Sequence, residues 1–402
     1  MQRRDILAGI GAAALAGRTA RASDAPWLSP ALPEGARAEA RWGTLPGKQK
    51  LIQLSDRPPN YETPIEAFTS AVTPNDSFFV RYHLADVPTM ESLAGWALEL
   101  GGDAATGRAR LTMDDLRAMP QTEVSAVCQC SGNRRGLSQP HVAGVEWGYG
   151  AMGSALWRGP RLRDVLARVG VKSDAVEVWL DGADGPVLPG TPDFRKSLPL
   201  AKAMADETII ALTMNGAPLP LPNGYPARLI VPGWTATYWM KHLTHVDASS
   251  KPLGSFWMQK AYRVPAGMFP VEQPFASQAD AASVPITEIV VNAVIAAPVD
   301  GVSMPRAGFT VQGVAWDRGH GIRTVQVSVD GGASWRDATL GPDLGPFAFR
   351  AFSLDTGALS GTQSTLSARA INNAGEAQAP VLKFNPAGYH NNVPQTLTVT
   401  LA

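Results

Sequence analysis

The chain has 402 residues and a mass of 42.6 kDa, enough for two to three domains, and its 45% hydrophobic and 17% charged content supplies a sizeable core and excludes a disordered chain. Lys and Arg total 35 against 35 Asp and Glu, so charge alone points to neither a nucleic-acid nor a membrane-surface binder. Two cysteines cannot build a disulfide framework or a four-thiolate zinc site, and no C-x-x-C-H run is present for a covalent haem.

Residues 1–22 read as an address. Arg3-Arg4 precede a short apolar run, Ile6 to Ala16, and Ala20-Arg21-Ala22 forms an A-x-A cleavage site. The twin arginines predict export by the Tat route and a periplasmic location. The run is too short to span a bilayer, so no membrane anchor is expected. Gly9-Ile10-Gly11-Ala12-Ala13-Ala14 matches G-x-G-x-x-A, but no strand precedes it, which rejects a dinucleotide site.

Residues 23–60 are Pro-rich and read as an extended N-terminal segment. From 61 to 250 strands and short helices mix without regular βαβ alternation, which predicts an α+β domain. Ser77–Leu84, Val176–Leu180, Glu207–Met214 and Ala227–Val231 read as strands; Met113–Met119 and Arg161–Val169 read as short helices. Residues 251–285 hold aromatic and basic side chains among Pro and Gly and read as a functional linker. From 286 to 402 the runs Ile289–Ala296, Phe309–Trp316, Thr324–Val329 and Leu366–Ile371 are β-rich and separated by turns, which predicts an all-β immunoglobulin-like sandwich. Val329-Asp330-Gly331-Gly332 predicts a hairpin turn, because two glycines take positive φ cheaply.

The densest chemical constellation is Cys128-Gln129-Cys130-Ser131-Gly132-Asn133-Arg134-Arg135. Strand period puts Val124, Ala126, Cys128 and Cys130 on one face, with Cys130 at the strand end where a loop can present it. Two following arginines stabilise a thiolate. On one strand face the two Cβ atoms stand too far apart for a disulfide. Either Cys130 is functional above a packed Cys128, or both are small buried hydrophobes.

Cys130-Ser131-Gly132-Asn133-Arg134-Arg135 resembles the signature of the sulfite oxidase family of molybdenum enzymes. Phe78 to Leu84 resembles the family's pterin-contacting strand. Val145-Glu146-Trp147-Gly148 followed by Arg161 to Leu166, Asn223 to Gly233 with Lys241, and Trp257 to Tyr262 are similar to further family stretches in the same order. The resemblance runs from about 60 to 395 and is nearest to bacterial periplasmic sulfite dehydrogenases without a fused haem domain.

The resemblance implies a Mo-molybdopterin cofactor, with Cys130 as the thiolate ligand to molybdenum. It implies that Tyr262, Arg81, Arg135, His83 and Trp147 form the catalytic pocket, the arginines facing sulfite with planar guanidinium groups. Phe79, Arg81, His83, Asp184, Asn223, Arg228 and Lys241 would contact the cofactor. Sulfite would be oxidised to sulfate, with electrons passed to a soluble c-type cytochrome. The C-terminal sandwich would form a homodimer. Animal members place His where Asn223 stands, Asn where Tyr82 stands, and an extra Arg near the C-terminus, whereas residues 384–402 contain no Lys or Arg. Two other readings are a sulfane or sulfoxide enzyme with the same cofactor, and a metal-free periplasmic binding module whose 11 tryptophans stack on sugars.

Overall fold

The computed structural model describes residues 25–273 and 282–402, so the expected export signal lies outside the described residues, as does part of the linker. Short strands dominate, and no helix among the described residues is long and apolar enough to cross a membrane. An α+β domain is followed by an all-β two-sheet sandwich.

In the first domain, Thr122–Gln129 pairs antiparallel with Met152–Gly159 along its whole length, from Thr122↔Gly159 to Gln129↔Met152. A mixed five-stranded sheet runs Lys196–Pro199, Glu177–Gly182, Leu243–Ser249, Leu98–Gly101, Ala109–Leu111, with Leu243–Ser249 parallel to Leu98–Gly101. A four-stranded sheet joins Arg41–Gly43, Leu51–Ser55, Asn60–Glu62 and Val80–Arg81, so the N-terminal segment is partly sheet and packs on the domain.

The helix Met113–Ala118 forms where expected. Its Thr112 hydroxyl accepts from the Asp115 N–H at 3.2 Å, while the Asp115 carboxylate accepts from the Thr112 N–H at 2.8 Å, a reciprocal cap. The second expected helix is shorter, Leu162–Leu166. Its last turn tightens to i→i−3 bonds, Arg168 N–H to Val165 O and Val169 N–H to Leu166 O, both 3.1 Å, and Gly170 with φ +67° ends it.

Two expected strands are corrected. Glu207–Met214 splits into Ile209–Ala211, which pairs with Arg228–Ile230, and Thr213–Met214, which pairs with Met152–Gly159; the run changes sheets at Leu212. Ser77–Leu84 shrinks to Val80–Arg81. Consecutive Phe78 and Phe79 are both buried, which strand alternation cannot achieve on one face. Phe78 packs on Trp157 and on Gly153, where a Cβ would sit 2.5 Å from the ring, and Phe79 packs edge-on against Trp147. Their carbonyls accept from side chains instead of a ladder: Lys48 Nζ bonds Phe78 O and Asn223 Nδ2 bonds Phe79 O, both at 3.0 Å.

The sandwich stacks a four-stranded sheet (Asn292–Ala297, Thr310–Trp316, Arg350–Asp355, Thr339–Leu340) on a five-stranded one (Ser303–Met304, Gln395–Leu401, Gln363–Asn372, Ile322–Ser328, Arg336–Asp337). Ala293, Ile295, Val311 and Ala315 face Val325, Val327, Leu366 and Val399 across its core. The alternate residues Val294, Ala296, Val314 and Trp316 pack instead on Ile65, Phe68, Val127 and Met152 of the first domain. A sheet buried on both faces explains the near-continuous apolar run at 289–297. Gly331 and Gly332 adopt φ of +72° and +95°, and the turn closes on the Asp330 side chain, which accepts from Ser334 N–H at 2.9 Å. The described part of the linker carries a one-turn helix, Phe256–Gln259, and pairs Arg263–Pro265 with Ser283–Pro285.

Candidate active site

Cys130 follows the last paired residue of Thr122–Gln129. Its N–H continues the ladder to Ala151 O at 2.9 Å, and the chain then turns back, with Asn133 N–H on Cys130 O at 2.9 Å. Asn133 Oδ1 accepts from Ala151 N–H at 3.0 Å and locks the turn. The strand places Ala126, Cys128 and Cys130 in one buried cluster with Val124 at its margin, and both thiols are free. Behind the turn, the Glu62 carboxylate accepts from Gly148 and Gly150 N–H, each at 2.8 Å; burial raises this carboxyl to about 7. That grip fixes Trp147, which is fully buried.

Cys130 opens into a cavity of about 590 Å³, its mouth included, whose wall includes Phe79, Arg81, His83, Asp184, Asn223, Arg228, Lys241 and Tyr262. These residues come from strands and loops spread from Phe79 to Tyr262 and meet only in the fold. Two of the expected residues stand off this wall. Trp147 lies behind Phe79, 6.5 Å between ring centres. Arg135 turns toward the C-terminal segment, donating from Nε to Ala387 O at 2.8 Å and lying 5.3 Å from the centre of the Tyr389 ring. Arg134 is spent on the domain junction, where Nη1 donates to Asn292 Oδ1 at 2.7 Å.

Arg81 and His83 lie two residues apart and both reach the cavity. The His83 ring stacks on Phe194 at 3.7 Å between centres, and its Nε2 meets the Tyr262 hydroxyl. Burial, then the charges of Arg81, Lys241 and Lys196, hold His83 well below the usual imidazole range, so it is neutral. Burial raises the Tyr262 phenol, with Arg81 opposing, so it is protonated. Tyr262 itself has φ +55° and stacks on Tyr389 with 6° between planes.

At the other end, Gly224 with φ +113° closes the turn Leu221–Asn223, and Arg228 Nη1 donates to Asn223 O at 3.1 Å. Arg228 Nη2 donates to Cys128 Sγ at 3.2 Å, and burial pushes that thiol up to about 11, so Cys128 is a protonated partner of Arg228. Lys241 donates to Pro222 O at 3.1 Å and lies over the Tyr82 ring. Burial and the neighbouring Arg228 lower its proton affinity, while burial raises that of Asp184.

Several contributors escaped sequence reading. Lys48, from the Pro-rich segment, donates to the Asn223 carboxamide, Phe78 O and Asn75 O. His242 Nδ1 donates to Tyr225 O at 2.6 Å, so its Nε2 accepts from the Tyr82 hydroxyl at 2.9 Å. Thr237, Phe194 and Tyr389 carried no local signal, because each is a single residue outside any recognisable motif.

The cavity fits a polar, anionic ligand. Arg81, Arg228 and Lys241 face it against one carboxylate, Asp184. Arg228 Nε, Ser131 Oγ and Thr237 Oγ1 on its wall are buried with no partner among the described residues. Buried polar groups are normally bonded, so these three ask for a ligand. Among the described residues no group of three or more His, Cys, Asp or Glu could hold a metal ion. A metal at Cys130 must therefore bring other ligands with it, as a pterin dithiolene does.

Residues 84–257 match the oxidoreductase molybdopterin binding domain, and residues 283–399 match the Mo-co oxidoreductase dimerisation domain. Mitochondrial sulfite oxidase of Mus musculus is 36% identical over 294 residues, covering 71% of this chain and 52% of the relative. The chain thus spans about half the length of the mammalian relatives it matches. Sulfite oxidase of Gallus gallus is 32% identical over 369 residues, covering 88% of this chain and 78% of the relative. The sulfane dehydrogenase SoxCD from Paracoccus pantotrophus superposes with a TM-score of 0.72 at 25% identity, covering 91% of this chain and 89% of that one. Two matched domains in order, a relative covered over most of its length and a cavity of this charge and donor set agree: the chain belongs to the sulfite oxidase family, and its cofactor is Mo-molybdopterin.

Proposed function

We propose that this chain is a periplasmic sulfite dehydrogenase, exported by the Tat route, that oxidises sulfite to sulfate and delivers electrons to a soluble c-type cytochrome. The observation that carries the reading is the meeting of Cys130, Arg81 and the His83–Tyr262 pair on one cavity wall. The balance is sulfite plus water giving sulfate, two protons and two electrons. The bound cofactor supplies the two-electron oxygen-atom chemistry, and the chain supplies binding, orientation and proton handling.

Cys130 would hold the metal, and Arg228, Lys241, Asp184, Asn223 and Phe79 the pterin. Arg81 attracts the sulfur oxyanion by charge-assisted bonds. His83 Nε2 and the Tyr262 hydroxyl share a hydrogen bond, which aims the phenol oxygen at the cavity face, where it can bond to substrate. Phe79 backed by Trp147 excludes water and strengthens these interactions. Arg135 would act from behind, by holding the segment at Ala387.

The test is sulfite-dependent reduction of ferricyanide and of cytochrome c by protein made with and without pterin synthesis, with molybdenum measured per chain. Turnover only with about one molybdenum per chain is expected; turnover without molybdenum overturns the reading. Similarity to a sulfane dehydrogenase over 91% of the chain favours one second reading, oxidation of sulfane sulfur. Oxidation of a persulfidated thiol in preference to free sulfite would favour it. The C-terminal domain supports a homodimer, read by sedimentation.

A further inference from the structure

Lys196 is a lysine with no exposed surface and no carboxylate partner among the described residues. It opens the strand Lys196–Pro199, opposite Leu180. Its Nζ donates one hydrogen bond, to Trp257 O at 2.8 Å, and lies 4.5 Å from the Tyr238 ring centre and 5.1 Å from that of Tyr262. Aromatic faces attract a desolvated ammonium, which makes this pocket tolerable for it. A methionine would fill the same space without the cost of burying a charge, so packing alone does not explain a lysine here.

The surrounding charges are otherwise engaged. Arg263 donates to Met258 O at 2.8 Å and to Ser283 Oγ at 2.9 Å. On the neighbouring strand Glu177 accepts from Leu253 N–H at 2.8 Å, and Asp181 faces Arg195. On the following helix Lys202 pairs with Glu207. The titratable groups left facing Lys196 are Tyr238, Tyr262 and His83, the last of which feels its charge.

We propose that Lys196 is a positioning residue for Tyr262: it ties down the Trp257–Tyr262 segment through the Trp257 carbonyl, and its ammonium beside the Tyr262 ring adds to the charge that Arg81 places on the Tyr262–His83 pair. The proposal rests on the reading that Tyr262 serves sulfite oxidation. Burial first, then repulsion by Arg263, lowers Lys196 from its usual value to about 7, so its charge changes across neutral pH and Tyr262 senses that change.

The test uses full-length protein, wild type, Lys196→Met and Lys196→Arg, labelled with 13Cζ-tyrosine and made without pterin synthesis; Tyr262→Phe assigns the signal. In wild type the Tyr262 resonance is expected to step with a midpoint near 7. K196M lacks the step, and K196R, charged throughout, holds the low-pH position. Identical titrations in all three proteins overturn the proposal. Should K196M not fold, the wild-type and K196R comparison decides. In the molybdenum-loaded enzyme, once KM is corrected for the bisulfite–sulfite equilibrium, the wild-type value is expected to rise severalfold from pH 6 to 9, with K196R flat and its kcat retained. If wild type fails to oxidise sulfite, the functional reading falls while the resonance test still judges Lys196.

Discussion

Lys48→Met tests whether the N-terminal segment is part of the site. Lys48 reaches across to the cofactor loop, donating to Phe78 O at 3.0 Å, to Asn75 O and to the Asn223 carboxamide oxygen. Burial, against the attraction of Asp76 and with the repulsion of Arg228, lowers its pKa from 10.5 to about 7. Between these values the unfolded chain binds the proton and the folded chain does not, so stability rises with pH from 7 to 10.5 and is lost as pH falls through 7. At about 1.4 kcal/mol per pH unit, the interval is worth up to about 5 kcal/mol. Lys48→Met keeps the length of the side chain and removes the titration. In urea unfolding of cofactor-free protein, wild type is expected to gain stability over the variant as pH rises, by up to about 5 kcal/mol across that interval. Parallel curves for the two proteins from pH 6 to 10 would refute the half-buried latch.

Two further substitutions probe the wall of the cavity. Cys130→Ser is expected to lose turnover and most bound molybdenum while its far-ultraviolet dichroism matches wild type, since the residue lies beyond the last paired position of its strand; molybdenum retained at wild-type stoichiometry would contradict the ligand role. Tyr82→Phe removes the donor to buried His242 Nε2 and is expected to cost about 1–3 kcal/mol in urea unfolding, the penalty of an orphaned acceptor. Burial holds His242 neutral at about 3, so this loss should be constant from pH 5 to 8; an unchanged midpoint would refute the assigned tautomer.

Local signals made much of the chain legible. Val124, Ala126, Cys128 and Cys130 are read as one face from strand period alone, and the structure gathers them in one cluster because the pleat repeats every two residues. Gly331 and Gly332 announce their turn because only glycine takes positive φ without strain. The ordered motifs named the family, and with it the cofactor. Where the rule of alternation was stretched, the reading failed: Phe78 and Phe79 satisfy strand propensity, yet both rings go inward, and the backbone gives up its ladder to accept from Lys48 and Asn223.

Other matters depend on residues far apart in sequence, whose meeting no local pattern encodes. Whether an arginine faces the cavity or braces a loop is one: Arg81 lines the wall, while Arg135 is drawn onto Ala387 O, 252 residues away. The same holds for Lys196 on the Tyr262 ring and for Lys48 at Asn223. By itself the sequence determined the strand-rich two-domain build, the exposed turns and the chemical identity of the thiol and cations, since these follow from periodicity, φ preference and side-chain chemistry. Only the tertiary structure decided which cations are left without a carboxylate and which polar atoms without a partner, because burial and pairing arise from packing between elements.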